Sequence, residues 1–569
     1  MHMLLYFIFV HLTLLVPGYT IISKSKLAAD KPALILCLGY LTSVGLFALL
    51  ALASYMLDIS HVWLQVAGWV IILAGAFFFV KDHMYRAVWK MRFPLACFVA
   101  MSLFALFFMQ MPLGGNTQKF IPDPKPVAGS HYEVLSVKVL NVAQTNANDN
   151  YIPYRQAQFI ANRSDPAKDS FIDEWGVHFF QRTPLMGAVT AQYFMLLGDK
   201  TPIGYTWGGD SLDLDHTYLK FQIIAQILNC LFVVPAFFLL ARFFTRRTAQ
   251  ATLLFIVPSH FFLYNAFFTW PKSLVIFFVL ASWLLIYEKR LRYTMLAGIA
   301  SGLAYLTHDL GILYIGTTGI LLLLHKRWRD TLIVALWSAV FALPWLLTAA
   351  VKYKKPSTFI YYPFSTEGIP QIAQKKEIMQ QFHHTSPFRL LGIRLETLFY
   401  QLSPYQLIFS EGGQALGRRL WAFSIFSIPG SIGVGLAVPA VVGLYNKIRE
   451  KDLLILIFMP LILCCLIIGW PKGLGALHFA EASVVLLMGL GCWYLLRLKN
   501  KVWLHVCFGL NVLQTVLFML YSYNFVVSSW FTQPKALVGT LGMAIIIAGC
   551  AVALHRIARA VDPKAKPAA

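Results

Sequence analysis

The sequence predicts an all-helical membrane protein that crosses the bilayer many times. Of its 569 residues, 58% are hydrophobic and only 13% are charged, and the mean hydropathy is +0.65. Soluble globular chains carry roughly 25% charged residues, so a chain with half that fraction has too little polar surface to face water. Apolar stretches of about 17–25 residues, long enough to cross the hydrocarbon core of a bilayer, recur from end to end. These observations exclude a soluble fold.

The apolar stretches predict about fifteen transmembrane helices, with a range of 13–15 because several stretches are short. The N-terminal stretch lacks the basic region and cleavage site of a secretory signal, so we expect it to be the first span. The predicted spans are 3–22, 33–57, 63–80, 93–112, 220–242, 250–268, 273–287, 294–306, 310–324, 331–351, 422–445, 453–469, 477–496, 502–526 and 536–555.

Connections rich in basic residues alternate along the chain with connections that have few. The connections after odd-numbered spans, together with the C-terminal tail, carry 26 Lys and Arg residues, whereas the short connections on the other side carry three. Positively charged loops stay cytoplasmic. The N-terminus and the two long loops, 113–219 and 352–421, are therefore expected on the outer face.

Charge and cysteine content exclude two further classes of protein. The net charge of +22 is spread between apolar spans and forms no basic domain, so we expect no nucleic-acid partner. All eight cysteines lie in apolar segments without CxxC spacing, which is typical of small core residues and not of a zinc or redox site. The chain also contains no P-loop for a nucleotide.

The first long loop contains two segments with helical periodicity. YIPYRQAQFIAN (151–162) and TPLMGAVTAQYFMLLG (183–198) each have a Pro near the start and an apolar stripe, so we predict amphipathic helices lying on the membrane surface. Asp149 directly precedes the first helix, and Arg182 the second. A carboxylate beside an apolar surface can act as a general base, and Arg at a helix start can hold phosphate. The alternative is that Asp149 only caps its helix.

The short outer connections contain ionisable residues at span boundaries. The tripeptide WPK occurs twice, placing Trp270 with Lys272 and a second lysine at Lys472, and His478 follows the latter. His308 and Asp309 lie at a third boundary. Trp and Lys at single boundaries also serve as interface anchors. Because ionisable groups in apolar surroundings are costly and these share one side, together they favour an anionic ligand site.

Metal binding receives weaker support. The second long loop contains the pair His383 and His384, without a third ligand at useful spacing, and we expect an amphipathic loop that covers the site. DLD at 213–215 has the form of a metal-binding DxD motif but lies away from Asp149. A divalent metal therefore stays an option, and no residue is assigned to it.

These motifs, taken in their order along the chain, resemble those of the GT-C superfamily of membrane glycosyltransferases, in particular of its bacterial members. The matching blocks run from about 93 to 480 and are NDNYIPYRQAQ (148–158), QRTPLMGAVTAQYF (181–194), TWPKSLVIFFVLA (269–281), LAYLTHDLG (303–311) and LPWLL (343–347). The resemblance implies a core of 93–480, preceded by extra spans in 1–92 and followed by spans and a short tail in 481–569.

The same resemblance implies an enzyme on the periplasmic face of a bacterial inner membrane. Its donor would be a polyprenyl-phosphate-linked sugar, its acceptor an envelope glycan or lipid, and the transfer would invert the anomeric carbon. Asp149 would be the base that deprotonates the acceptor hydroxyl. Residues that would bind the donor phosphate or sugar are Arg155, Arg182, Trp270, Lys272, His308, Asp309, Lys472 and His478.

Two other functions are compatible with the sequence. A lipid-glycan flippase or transporter would share the membrane architecture. Such a protein would be expected to carry charges in the middle of its spans, whereas here the charges cluster at the outer boundaries. Inverted repeats with broken helices, which are typical of transporters, are also not evident in the sequence. An envelope-glycan polymerase or ligase of another membrane fold would share the basic outer face and the lipid-linked substrate.

Overall fold

The protein is described from a computed structural model of the chain. The structure describes residues 2–25, 27, 31–111, 116–122, 132–138, 142, 152–164, 182–199, 207–208, 211–212, 216–354, 363–364, 375–408, 416–467, 480–522 and 534–560.

Helices account for nearly all of the described chain, as predicted. In the N-terminal part they are α1 (His2–Lys24), α2 (Pro32–Leu57), α3 (His61–Lys81), α4 (Met84–Lys90), α5 (Arg92–Met109), α6 (Ile152–Asn162) and α7 (Leu185–Leu197). The central helices are α8 (His216–Cys230), α9 (Val233–Phe243), α10 (Arg246–Ile256), α11 (His260–Phe267), α12 (Lys272–Ile286), α13 (Leu291–Thr307), α14 (Gly311–Leu324) and α15 (Trp328–Leu347), which ends in a π-helical turn (Thr348–Lys352). The C-terminal helices are α16 (Lys375–His384), α17 (Pro387–Leu402), α18 (Tyr405–Ile408), α19 (Leu416–Phe426), α20 (Ile428–Ser431), α21 (Val434–Asn446), α22 (Lys451–Ile467), α23 (Glu481–Arg497), α24 (Val502–Ser522) and α25 (Pro534–Arg559).

The first long loop adds a small sheet that the sequence did not indicate. Its strands are β1 (Asn116–Pro122), β2 (Tyr132–Lys138), β3 (Trp207–Gly208) and β4 (Ser211–Leu212), in the order β1-β2-β4-β3. β1 and β2 are antiparallel, with Asn116 opposite Lys138 and Pro122 opposite Tyr132. Pairing between distant segments of a Pro- and Gly-rich loop is not visible in local periodicity.

The polytopic membrane class is confirmed, although the predicted count of fifteen spans is not. Eight helices of the described chain are long and apolar enough to cross a bilayer, or up to nine if one bent pair is counted as a single span. Each predicted span contains helix, but some are interrupted. The stretch 250–268 is divided into α10 and α11, and 422–445 into α19, α20 and α21.

The structure brings the basic loops together at one end of the bundle. Lys31 after α1 forms an ion pair with Glu288 after α12, and Arg242 at the end of α9 lies 3.9 Å from the same carboxylate. His325 after α14 lies 2.8 Å from Asp452 at the start of α22. Loops that alternation assigned to one side therefore do meet, and the assignment of that side to the cytoplasm stays a prediction.

Helices α6 and α7 form where predicted, but they are buried inside the protein. Every residue of α7 from Leu185 to Leu196 is buried. The reason is that α2, α3 and α6 pack against it. The hydroxyls of Thr13 and Tyr193 lie 2.7 Å apart, and the Trp69 indole donates to the Leu196 carbonyl over 3.1 Å. The prediction of surface helices was therefore wrong for their surroundings, because the N-terminal helices cover the apolar stripes.

Helix α17 in the second long loop has the amphipathic character expected there. Its outward face carries Phe388, Leu391, Leu395 and Phe399, which are 53–87% exposed. The opposite face buries Arg394, Thr397 and Gln401. An apolar outer face and a polar inner face are typical of a helix that lies at the membrane interface.

Polar side chains on α24 satisfy the backbone of two interrupted helices. At the break between α20 and α21, the Gln514 carbonyl accepts from Val434 N over 2.8 Å, and the Asn511 carbonyl accepts from Gly435 N over 2.8 Å. At the break between α10 and α11, the Thr515 hydroxyl donates to the Pro258 carbonyl over 2.7 Å. In an apolar environment unsatisfied backbone groups are costly, so helices break only where such partners exist.

Candidate functional site

The site is built around a sharp turn between α11 and α12. The chain direction bends by 111° between the two helices, and Thr269 in the turn has a positive φ of 53°. Trp270 belongs to this turn and Lys272 is the first residue of α12. The turn places a buried ammonium group at a helix start, and Lys272 is only 6% exposed.

Asn229 of α8 holds the turn in place. Its side-chain amide donates to the carbonyls of Asn265, over 3.2 Å, and Trp270, over 3.0 Å. Its carbonyl accepts from Leu274 N over 3.2 Å. Asn229 is fully buried, so these hydrogen bonds form without competition from water. The sequence reasoning missed this residue, although an Asn inside an apolar span is itself a signal.

Lys272, Trp270 and His308 form a contiguous group. The Lys272 Nζ lies 4.1 Å from the centroid of the Trp270 ring, and that ring lies 5.6 Å from the His308 ring. A cation over the face of an indole is attracted by the ring quadrupole, more strongly where water is excluded. Two predicted boundaries that are distant along the chain therefore contribute to one site.

His308 occupies the three-residue turn between α13 and α14. Its Nδ1 accepts a hydrogen bond from Leu310 N over 3.2 Å, so the neutral ring carries its proton on Nε2. Burial, together with the positive charges of Lys272 and Arg182, lowers the pKa of His308 well below its ordinary value. His308 is therefore a neutral hydrogen-bond donor in a cationic environment.

Arg182 joins this group from the segment just before α7. Its carbonyl accepts from the Trp345 indole of α15 over 3.1 Å and from the Gln156 amide over 3.4 Å. Its side chain is close enough to His308 to act on that ring electrostatically. Both Arg182, at 8% exposed, and Lys272 are buried cations, which are rare unless matched by anions.

Two further predicted site residues are buried in the structure, and three lie outside the described residues. Arg155 is buried on α6 and donates to Gln158 over 3.4 Å. Asp309 is 2% exposed and acts electrostatically on Tyr305 of α13. Asp149, Lys472 and His478 lie outside the described residues, as does the DLD motif at 213–215.

Glu481, the first residue of α23, is a second component that the sequence reasoning missed. It is fully buried, and its Oε2 accepts from the Ser273 hydroxyl over 2.7 Å. Ser273 follows Lys272 on α12, and the Lys272 ammonium interacts electrostatically with the Glu481 carboxyl. A glutamate in an apolar segment carries the same signal as Asn229, but its partner could not be identified from the sequence.

Within the described part of the chain no three metal-ligating side chains converge. His383 and His384 are exposed on α16. The described group consists instead of two buried cations, a neutral imidazole donor and an aromatic face. This set can bind a monoanionic or dianionic phosphate attached to an organic group, because the cations match its charge and the ring stacks on a flat or sugar-like surface.

Replacing Asn229 by Ala should destabilise the turn that carries Lys272. Three buried hydrogen bonds are lost at about 1 kcal/mol each, so we expect about 3 kcal/mol lower stability. The measurement is thermal unfolding in detergent, read by a thiol-reactive dye, since all eight cysteines are buried thiols outside disulfides. The control is Asn500→Ala, which removes one exposed hydrogen bond to Val502 N. Equal losses in both variants would contradict the role given to Asn229.

The lowered pKa of His308 predicts a pH-dependent stability. Below the ordinary histidine value of about 6.5, the unfolded chain binds a proton at this position and the folded chain does not. Stability should therefore fall with decreasing pH, by up to about 1.4 kcal/mol per pH unit. The His308→Gln variant should lose this component of the slope in the same unfolding measurement, whereas replacing the exposed His384 should not. A slope unchanged in His308→Gln would refute the neutral state.

Comparison with known proteins gives few matches. No family model matches the chain, and no curated protein matches it. Two solved structures are similar to this chain. They are crystal structures of ArnT from Cupriavidus metallidurans, one in the apo state and one bound to undecaprenyl phosphate. Their sequences are 14% and 13% identical to this chain. The matches cover 73% and 71% of this chain and 79% and 77% of the ArnT chains, with TM-scores of 0.30 and 0.32.

Proposed function

We propose that this protein is a membrane glycosyltransferase of the GT-C type. It transfers a sugar from a polyprenyl-phosphate donor to a glycan or lipid acceptor of the cell envelope, with inversion, on the outer face of a bacterial inner membrane. Residues 93–480 form the catalytic core in this proposal. The single observation that carries it is the buried group of Arg182, Lys272 and His308 at the end of the bundle opposite the basic loops.

The arrangement suits a reaction in which a lipid phosphate departs. Lys272 and Arg182 stabilise the negative charge that grows on the phosphate as its bond to the sugar breaks. The Nε2–H of His308 donates a hydrogen bond to a phosphate oxygen. Trp270 offers an apolar face to the sugar ring. Asp149 takes the proton of the acceptor hydroxyl, which then attacks the anomeric carbon from the side opposite the phosphate.

The remaining predicted residues have supporting roles in the proposal. Arg155 on α6 and Asp309 beside His308 flank the donor, and Lys472 and His478 complete its binding from the second WPK segment. A metal is not needed for this scheme, because the described cations already match a phosphate charge.

The test is incubation of the purified protein in detergent with a panel of labelled polyprenyl-phosphate sugars. We expect one donor to be consumed, with release of polyprenyl phosphate, and the Lys272→Met variant to lose that release. Retention of full release in Lys272→Met, or lack of binding by every polyprenyl phosphate tested, would contradict the proposal.

A transporter of lipid-linked glycans is the second candidate, and one observation favours it. The interruptions α10–α11 and α19–α21 converge on Asn511, Gln514 and Thr515, and interrupted helices around a polar cluster often form translocation sites. Reconstitution in vesicles separates the candidates. A transporter would move labelled lipid between leaflets without cleaving it, and substitution of Asp149 by Asn would leave that movement intact.

A further inference from the structure

The carboxyl of Glu481 is a fully buried ionisable group beside the proposed phosphate site. One oxygen accepts from Ser273, and the other oxygen, Oε1, is buried and has no hydrogen-bond partner among the described residues. Burying a carboxylate with a free oxygen is costly unless a cation balances it or a proton neutralises it. The protonation state of Glu481 therefore depends on the charged groups near its carboxyl.

Lys272 is the cation that balances Glu481. It precedes Ser273 on α12, and its charge acts on the Glu481 carboxyl. Tyr314 of α14 interacts electrostatically with the same carboxyl, and the charge of Lys272 also acts on Cys464 of α22. The helices α9, α10, α21 and α24 also pack on α23, but no charged side chain on their described residues acts on Glu481. Among the described residues, Lys272 is therefore the charged group that acts on the Glu481 carboxyl, and Lys272 and Arg182 both act on His308.

A phosphate that binds Lys272 changes this balance. The ammonium group would then face two anions in a site that excludes water, and like charges in such a site repel strongly. A carboxyl that takes up a proton removes the repulsion and lowers the cost of burying its unpaired oxygen, because a neutral carboxyl is cheaper to bury than a carboxylate. The phosphate and the Glu481 carboxylate therefore compete for Lys272.

We infer that Glu481 is a counter-anion for Lys272 that takes up one proton from solution when a lipid phosphate binds and returns it when that phosphate leaves. The inference rests on the proposed function. Glu481 has an electrostatic role in it, because the carboxyl acts on Lys272 and takes no part in forming or breaking a covalent bond. The competing carboxylate also weakens the hold on the released lipid phosphate, which favours product release.

The experiment measures proton uptake on binding of a short-chain polyprenyl methyl phosphate. This probe is a phosphodiester and stays a monoanion, so its own titration does not contribute. Titration calorimetry in buffers of different ionisation enthalpy should give close to one proton taken up by the wild-type protein. Its affinity should weaken with rising pH, by up to about tenfold per pH unit.

Three variants isolate Glu481. Glu481→Gln keeps the hydrogen bond from Ser273 but cannot titrate, so we expect tighter binding at high pH, no proton uptake and slower release of product. Ser273→Ala removes a hydrogen bond that favours the charged carboxylate, so proton uptake should persist but shift to higher pH. His308→Gln should keep proton uptake as well.

Uptake that persists in Glu481→Gln, or that disappears in His308→Gln alone, would overturn the inference. So would probe binding without proton uptake by the wild type, which leaves the proposed function standing. Absence of probe binding at every pH would overturn both.

Discussion

Replacing Asp149 by Asn should lower turnover by about 100- to 10,000-fold, the usual contribution of a general base. The amide keeps the size and the capping oxygen of the carboxylate, so helix α6 should still form. Donor binding should change little, because in the proposal the phosphate is held by Lys272 and Arg182. The measurement is the rate of polyprenyl phosphate release, alongside the affinity of the same protein for the donor.

Asp58→Asn provides the matched control. Asp58 lies at the end of α2, its side chain is 89% exposed, and it lies 3.1 Å from Arg163. An exposed ion pair contributes little to stability, so this variant should behave as the wild type. Near-normal turnover in Asp149→Asn would leave the carboxylate as a helix cap only. That outcome would remove the base from the mechanism.

The membrane class and the grouping of loops could be predicted because they depend on local properties. Span length and the positions of Lys and Arg are visible in any short window of sequence. Lys31 and Glu288 are far apart in the chain, yet alternation assigned their loops to one side, and they form an ion pair. In the site, Trp270, Lys272 and His308 were selected because ionisable residues at apolar boundaries are costly, and they do lie together.

The helix interruptions could not be predicted, since they depend on distant partners. Pro258 is a local signal for the break after α10, but Gly433, with a φ of 91°, is one glycine among many. What stabilises both breaks is the polar face of α24, hundreds of residues from Pro258. The surroundings of α6 and α7 were missed for the same reason, because amphipathicity does not reveal whether lipid, water or another helix covers the apolar stripe.

Asn229 and Glu481 show the limit for the site itself. Each is a polar residue in an apolar segment, so each could have been marked as unusual from the sequence. Neither could be placed beside Lys272, because Asn229 comes from α8 and Glu481 from α23. Their contribution is to orient and balance a lysine that lies between them in sequence.

Replacing Lys272 by Met should weaken donor binding by about 100-fold. Hydrogen bonds to charged groups contribute roughly 1.5–3 kcal/mol, and each 1.4 kcal/mol corresponds to a factor of ten in affinity. Methionine keeps the length and apolar stem of the side chain, so packing against Trp270 is largely retained. Lys272→Arg keeps the charge and should retain part of the affinity. Lys24→Met, at an exposed position on the opposite end of the bundle, should bind as the wild type.

The same substitution affects stability through Glu481, and a double variant separates the two effects. Lys272→Met removes the ammonium group that acts electrostatically on the buried Glu481 carboxyl, so we expect a loss of up to about 3 kcal/mol of stability. Adding Glu481→Gln removes the uncompensated charge, so the double variant should regain most of the thermal stability. It should not regain donor affinity, because the phosphate still lacks its ammonium partner. If affinity and stability recovered together, Lys272 would be a structural lysine that acts only through Glu481, and the buried cations would no longer argue for a phosphate site.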